Sequence, residues 1–132
     1  MIREARLRDA VGMDWTHPDF RASAMLVDGS AFGLVDRQRE DFLESDRLVL
    51  HGIPFNEQVT EGTLVVTSGL GGIYPRGIPI GRIAGLSETE GDWRKSYYLE
   101  PVVLPGSATH VLVLTDSAGA DVSSVWPQDS IR

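Results

Sequence analysis

With 132 residues, a mass of 14.4 kDa and 42% hydrophobic residues, the chain has the size of one ordinary domain and enough apolar sequence for a core of its own. A net charge of −7, from 19 acidic against 12 basic residues, argues against a nucleic-acid partner, and the absence of cysteine excludes disulfides, thiolate metal sites and a cysteine nucleophile. No run of about 18 apolar residues is present, the length a bilayer-spanning helix requires.

The elements follow in chain order. Arg3, Glu4, Arg6, Arg8 and Asp9 stand where a secretory signal would place apolar residues, and residues 2–10 read as a strand. His17-Pro18 reads as a rigid turn. Short runs rich in β-branched residues then recur at 24–27, 31–35, 47–51, 63–67, 78–86, 97–104 and 109–115, each bounded by Gly, Pro, Asn, Asp or Ser. Such spacing predicts an all-β sandwich or barrel. Residues 37–45, RQREDFLES, combine strong helix formers with Phe42 and Leu43, which predicts a helical or irregular loop too short to persist without packing. Residues 62–85 hold seven of the 14 glycines together with Pro75 and Pro79, a composition suited to tight corners, with Pro79 pointing to an edge or bulge. From Asp116 the sequence has no period and few apolar residues besides Val122, Val125, Trp126 and Ile131, and it reads as a flexible tail.

Three kinds of chemistry can be weighed on these residues. Ser68 lies between a strand and a glycine-rich turn, which raises a trypsin-like hydrolase served by one of His17, His51 or His110. The residue before it is Thr67, however, and Val66 stands where a nucleophile elbow needs glycine. The three histidines have no partner at zinc-site spacing, and Gly69-Leu70-Gly71-Gly72 lacks the Lys-Ser/Thr of a phosphate loop. No catalytic, metal or cofactor residue is therefore assigned. A small ligand-binding barrel is a further alternative. The stretch containing Ile73, Tyr74, Pro75, Ile78, Pro79 and Ile80 is too apolar and too broken by proline for a solvent loop, which leaves a binding surface or a core segment.

The run from Gly62 to Gly81, GTLVVTSGLGGIYPRGIPIG, resembles the signature of the bacterial rod shape-determining protein MreC family. The residues carrying the likeness include Gly62, Thr67, Ser68, Gly69, Gly71, Gly72, Pro75, Gly77, Pro79 and Gly81; Thr63, Tyr74 and Ile80 depart from the usual Asp, Phe and Val. The resemblance implies small β-barrel domains without catalytic residues or cofactors. It also implies a scaffold role in cell elongation and peptidoglycan synthesis, acting through self-association as dimer or filament and through contacts with MreD and the elongation-specific penicillin-binding protein. The family sits at the periplasmic face of the inner membrane, held by an N-terminal helix and coiled coil. Set against that pattern, the chain reads as an N-terminally truncated portion: part of a first β-domain over 1–45, an MreC-like barrel segment over 46–114, and a flexible tail over 115–132.

Overall fold

A computed structural model describes residues 2–5, 10–40, 45–90, 93–104, 107 and 110–111. Its strands are β1 (Ile2–Ala5), β2 (Ala10–Gly12), β3 (Arg21–Leu26), β4 (Phe32–Glu40), β5 (Ser45–Pro54), β6 (Leu64–Thr67), β7 (Pro79–Glu90) and β8 (Arg94–Pro101). Among the described residues the first two pair only with each other. The remaining six close into an antiparallel barrel in the order β3-β4-β5-β8-β7-β6. The all-β barrel expected from the strand spacing is thus the observed fold.

Alternation builds the interior. Val35 on β4 faces Leu50 on β5, and Leu50 in turn faces Tyr97 on β8, all three buried. Ala24, Leu26, Val65, Ile83 and Leu99 complete the same cluster from the other strands. Leu48, Leu50 and Ile53 are essentially sealed from water, and truncating one such side chain to Ala costs about 2–5 kcal/mol. Met25, Leu64 and Val66 form a second buried cluster on the alternate positions of β3 and β6. Gly33 lies so close under β5 that an added Cβ would collide with the His51 carbonyl oxygen. On the other side of β5 the β5–β8 register shifts between Leu50 and Ile53, a bulge that contains Gly52 at φ 84°.

Several sequence expectations change. Residues 37–40 are strand, not a helical or irregular loop: β4 runs on through Arg37 and Gln38, which pair with Leu48 and Arg47. The ladder with β5 pairs the backbone groups of 37–40, whereas a short helix would leave its terminal groups unpaired. Residues 41–44 lie outside the described residues. The division at 45/46 falls within the first residues of β5, the strand that pairs with β4 at seven positions. The 97–104 strand ends at Pro101. Of the 109–115 segment only His110 and Val111 are described, neither of them in a strand, and the 115–132 tail lies outside the described residues.

Candidate functional site

The glycine-proline run begins as β6 and closes on itself immediately afterwards. Thr67 organises the closure, because its hydroxyl donates to Pro75 O at 2.5 Å and accepts from Ile78 N at 2.8 Å. Its backbone N–H donates to Ile78 O, and Gly77 N donates to Thr67 O. A buried Thr at the head of the turn therefore ties both ends of the loop with four hydrogen bonds. Ser68 follows, also buried; its N–H donates to Ser23 O on β3 and its Oγ accepts from Leu70 N at 3.2 Å. Gly62, Gly69, Gly71, Gly72 and Gly77 all have positive φ. At Gly69 a side chain would in addition meet Arg76 Cβ at 3.1 Å. Pro75 is buried at the loop's return, and Pro79 opens β7 opposite Val66, where the β6–β7 register shifts. Gly81 lies under β8, so close that a Cβ would stand 2.6 Å from Glu100 O.

This loop forms one wall of an apolar groove of about 820 Å³ at the end of the barrel where β3 and β7 begin and β6 and β8 end. All six residues of the 73–80 stretch singled out in the sequence line it. The opposite wall comes from Trp15, Phe20, the β1–β2 hairpin and Val103. Trp15 Nε1–H donates to Val103 O at 3.2 Å, and the Phe20 and Tyr74 rings pack at 6.3 Å with a 54° tilt. Ile73 is 64% exposed and Val111 80% exposed, so the groove leaves large apolar side chains in water. Burial pushes the Tyr74 hydroxyl above its ordinary pKa of 10 and keeps it neutral. Asp14 is the charged residue of the lining. The Thr16 hydroxyl and then the Thr16 N–H hold its carboxyl below the usual carboxylate range.

Ser68 Oγ is engaged by Leu70 N, and no histidine among the described residues hydrogen-bonds to it. His17 lies in the 14–20 turn, where its N–H donates to Asp14 O and its carbonyl accepts from Phe20 N. His110 is exposed. His51 joins a polar cluster that the sequence did not reveal: its Nε2 lies 2.8 Å from Asp36 Oδ1 and its Nδ1 3.0 Å from Ser96 Oγ. The neutral tautomer meets both contacts if Nε2–H donates to Asp36 and Nδ1 accepts the Ser96 hydroxyl. These are the residue types of a hydrolytic triad, but Ser96 is 0% exposed, and a nucleophile sealed inside the wall meets no substrate. The cluster instead joins β4, β5 and β8 at the bulge.

Closed barrel, separate hairpin and open apolar groove together define a small β-barrel domain whose distinguishing surface lies at one barrel mouth. The family model "Rod shape-determining protein MreC, barrel core" matches residues 2–115. The cell shape-determining protein MreC of Listeria monocytogenes is 33% identical over 91 residues, 69% of this chain and 30% of that protein. Among solved structures, MreC of Listeria monocytogenes aligns with a TM-score of 0.54 and 31% identity, over 65% of this chain and 40% of that one. A complex between penicillin-binding protein PBP2 and MreC from Helicobacter pylori aligns with a TM-score of 0.58 and 24% identity, over 70% of this chain and 55% of that one. The chain belongs to the MreC family of rod shape-determining proteins. It spans under a third of the length of the curated relative.

Proposed function

We propose that this chain is the barrel portion of a non-enzymatic scaffold of the cell-elongation machinery, which organises peptidoglycan synthesis through protein–protein contacts at the periplasmic face of the inner membrane. The single observation that carries this reading is the open apolar groove built by the family signature itself. Contiguous apolar surface of this kind marks contact sites, and burying one large aliphatic side chain contributes roughly 1.5–3 kcal/mol. An elongation-specific penicillin-binding protein is the first partner to test, since the Helicobacter pylori relative is solved in complex with PBP2. Self-association and contact with MreD belong to the same reading. The signature residues act here structurally, shaping the groove wall, and no catalytic residue or cofactor is invoked.

Ile73 and Val103 are both more than half exposed, so replacing either by Asp leaves the core intact while placing a charge in the groove. Ile73→Asp and Val103→Asp are expected to weaken binding to the periplasmic part of the penicillin-binding protein at least tenfold in surface plasmon resonance, with unchanged thermal unfolding. Wild-type affinity in both variants would remove the groove from the interface.

A further inference from the structure

A second hollow lies at the other ends of β5 and β8, away from the groove. It is a shallow cleft of about 620 Å³ lined by Gly52, Pro54, Trp93 and Arg94. The backbone fixes its parts: Phe55 N–H donates to Trp93 O at 2.6 Å, clamping the end of β5 to the start of β8. Lys95 steadies the rim from behind, with its Nζ donating to Glu57 O and lying 5.2 Å from the centre of the Phe55 ring. Gly52 keeps the floor open, since a Cβ there would meet nothing within 4 Å. Trp93 is 75% exposed, the most exposed aromatic among the described residues. Neither its indole N–H nor the Arg94 guanidinium has a hydrogen-bond or ion-pair partner among the described residues.

Such a cleft offers a flat apolar face beside unengaged donors. A pyranose ring fits that pairing, because its C–H face lies against an indole while its hydroxyls and any carboxylate accept hydrogen bonds. A guanidinium holds one carboxylate with two parallel N–H donors. The net charge of −7 repels polyanionic surfaces such as an acidic bilayer, whereas one arginine without a partner among the described residues suits a single carboxylate. We propose that this cleft binds an acidic saccharide, with one sugar ring stacked on Trp93 and its carboxylate paired with Arg94. The inference stands on the cleft alone and does not depend on the scaffold reading.

The test titrates the ¹⁵N-labelled 132-residue chain with N-acetylmuramic acid and with N-acetylglucosamine, which lacks the carboxylate, over the millimolar range. The Trp93 indole signal is assigned through Trp93→Phe. The expected result is a saturable shift of the Trp93 indole with the acidic sugar, weakened at least tenfold by Arg94→Ala and lost in Trp93→Ala. Both positions are exposed, and superimposable spectra elsewhere show that the variants remain folded. No Trp93 shift, shifts confined to other regions, or equal binding of the two sugars that is insensitive to Arg94→Ala would each overturn the proposal.

Discussion

Gly81 and Gly85, both on β7, stand in opposite surroundings. Gly81 is needed because β8 crosses it: an added methyl would stand 2.6 Å from Glu100 O, backbone that cannot swing aside. Gly85 has open space around it and no positive φ. Gly81→Ala is therefore expected to destabilise the barrel by about 1–3 kcal/mol in urea unfolding. Gly85→Ala is expected to be neutral or to gain about 0.4–1 kcal/mol from the stiffer unfolded chain. Asp28 gives a residue-scale prediction in pH. The Ser30 hydroxyl, 2.7 Å away, and then the Ser30 N–H at 2.9 Å hold its carboxyl below the ordinary value of 3.8. Because the folded pKa is the lower one, the stabilisation is present above the unfolded value and disappears as pH falls through the folded value. Ser30→Ala should move the Asp28 carboxyl titration, followed by NMR, up toward 3.8, and an unmoved titration would contradict the assigned cause. Glycine positions were visible in the sequence as a cluster, but their separate causes were not, since Glu100 is 19 residues from Gly81 along the chain.

At the scale of the element, β4 shows how a strand escapes sequence reading. Arg37 and Gln38 belong to a run of good helix formers, and nothing local marks them as strand. What decides is the partner: Leu48 and Arg47 arrive on β5 and take up their backbone groups. The runs at 47–51 and 63–67 were legible because each holds a short continuous apolar stretch, Leu48 to Leu50 and Leu64 to Val66, that is buried throughout. The Asp36–His51–Ser96 cluster was illegible for the same reason as β4, with partners 15 and 45 residues away from His51. Ser96→Ala deletes the 3.0 Å contact between fully buried Ser96 and half-buried His51 and is expected to cost about 0.5–1.5 kcal/mol. A double-mutant cycle of Asp36→Ala with Ser96→Ala should show coupling of at least about 0.5 kcal/mol through the shared imidazole. Strict additivity would mean the two contacts act independently.

Over the whole molecule, the barrel is unevenly sewn. β7 and β8 pair at eight positions and β4 and β5 at seven, but β6 meets β7 at three and, along its seam with β3, also at three. Two flanking bonds, Val27 N to Leu64 O and Ser68 N to Ser23 O, lengthen that seam only slightly. Local opening follows the sparsest pairing, so hydrogen exchange of Met25 and Val66 amides is expected to precede that of Val49 and Leu99. Uniform protection around the barrel would argue against an opening seam. The groove belongs to this scale too. Its 73–80 wall was legible as a proline-broken apolar stretch, whereas Trp15, Phe20 and Val103 join it only through the closure of the barrel.

The strand order has a consequence for covalent connectivity. β3-β4-β5 and β6-β7-β8 are two three-stranded meanders, and the backbone passes between them once, through residues 55–63. Every other tie between the halves is noncovalent: the β5–β8 face, the β3–β6 face and the shared core. Thr60 and Glu61 sit exposed on that single crossing. A chain severed between them should behave as a pair of complementing fragments, each insoluble or unstructured alone and barrel-forming when mixed, so the fold doubles as a split protein whose reassembly reports on whether its two halves have met.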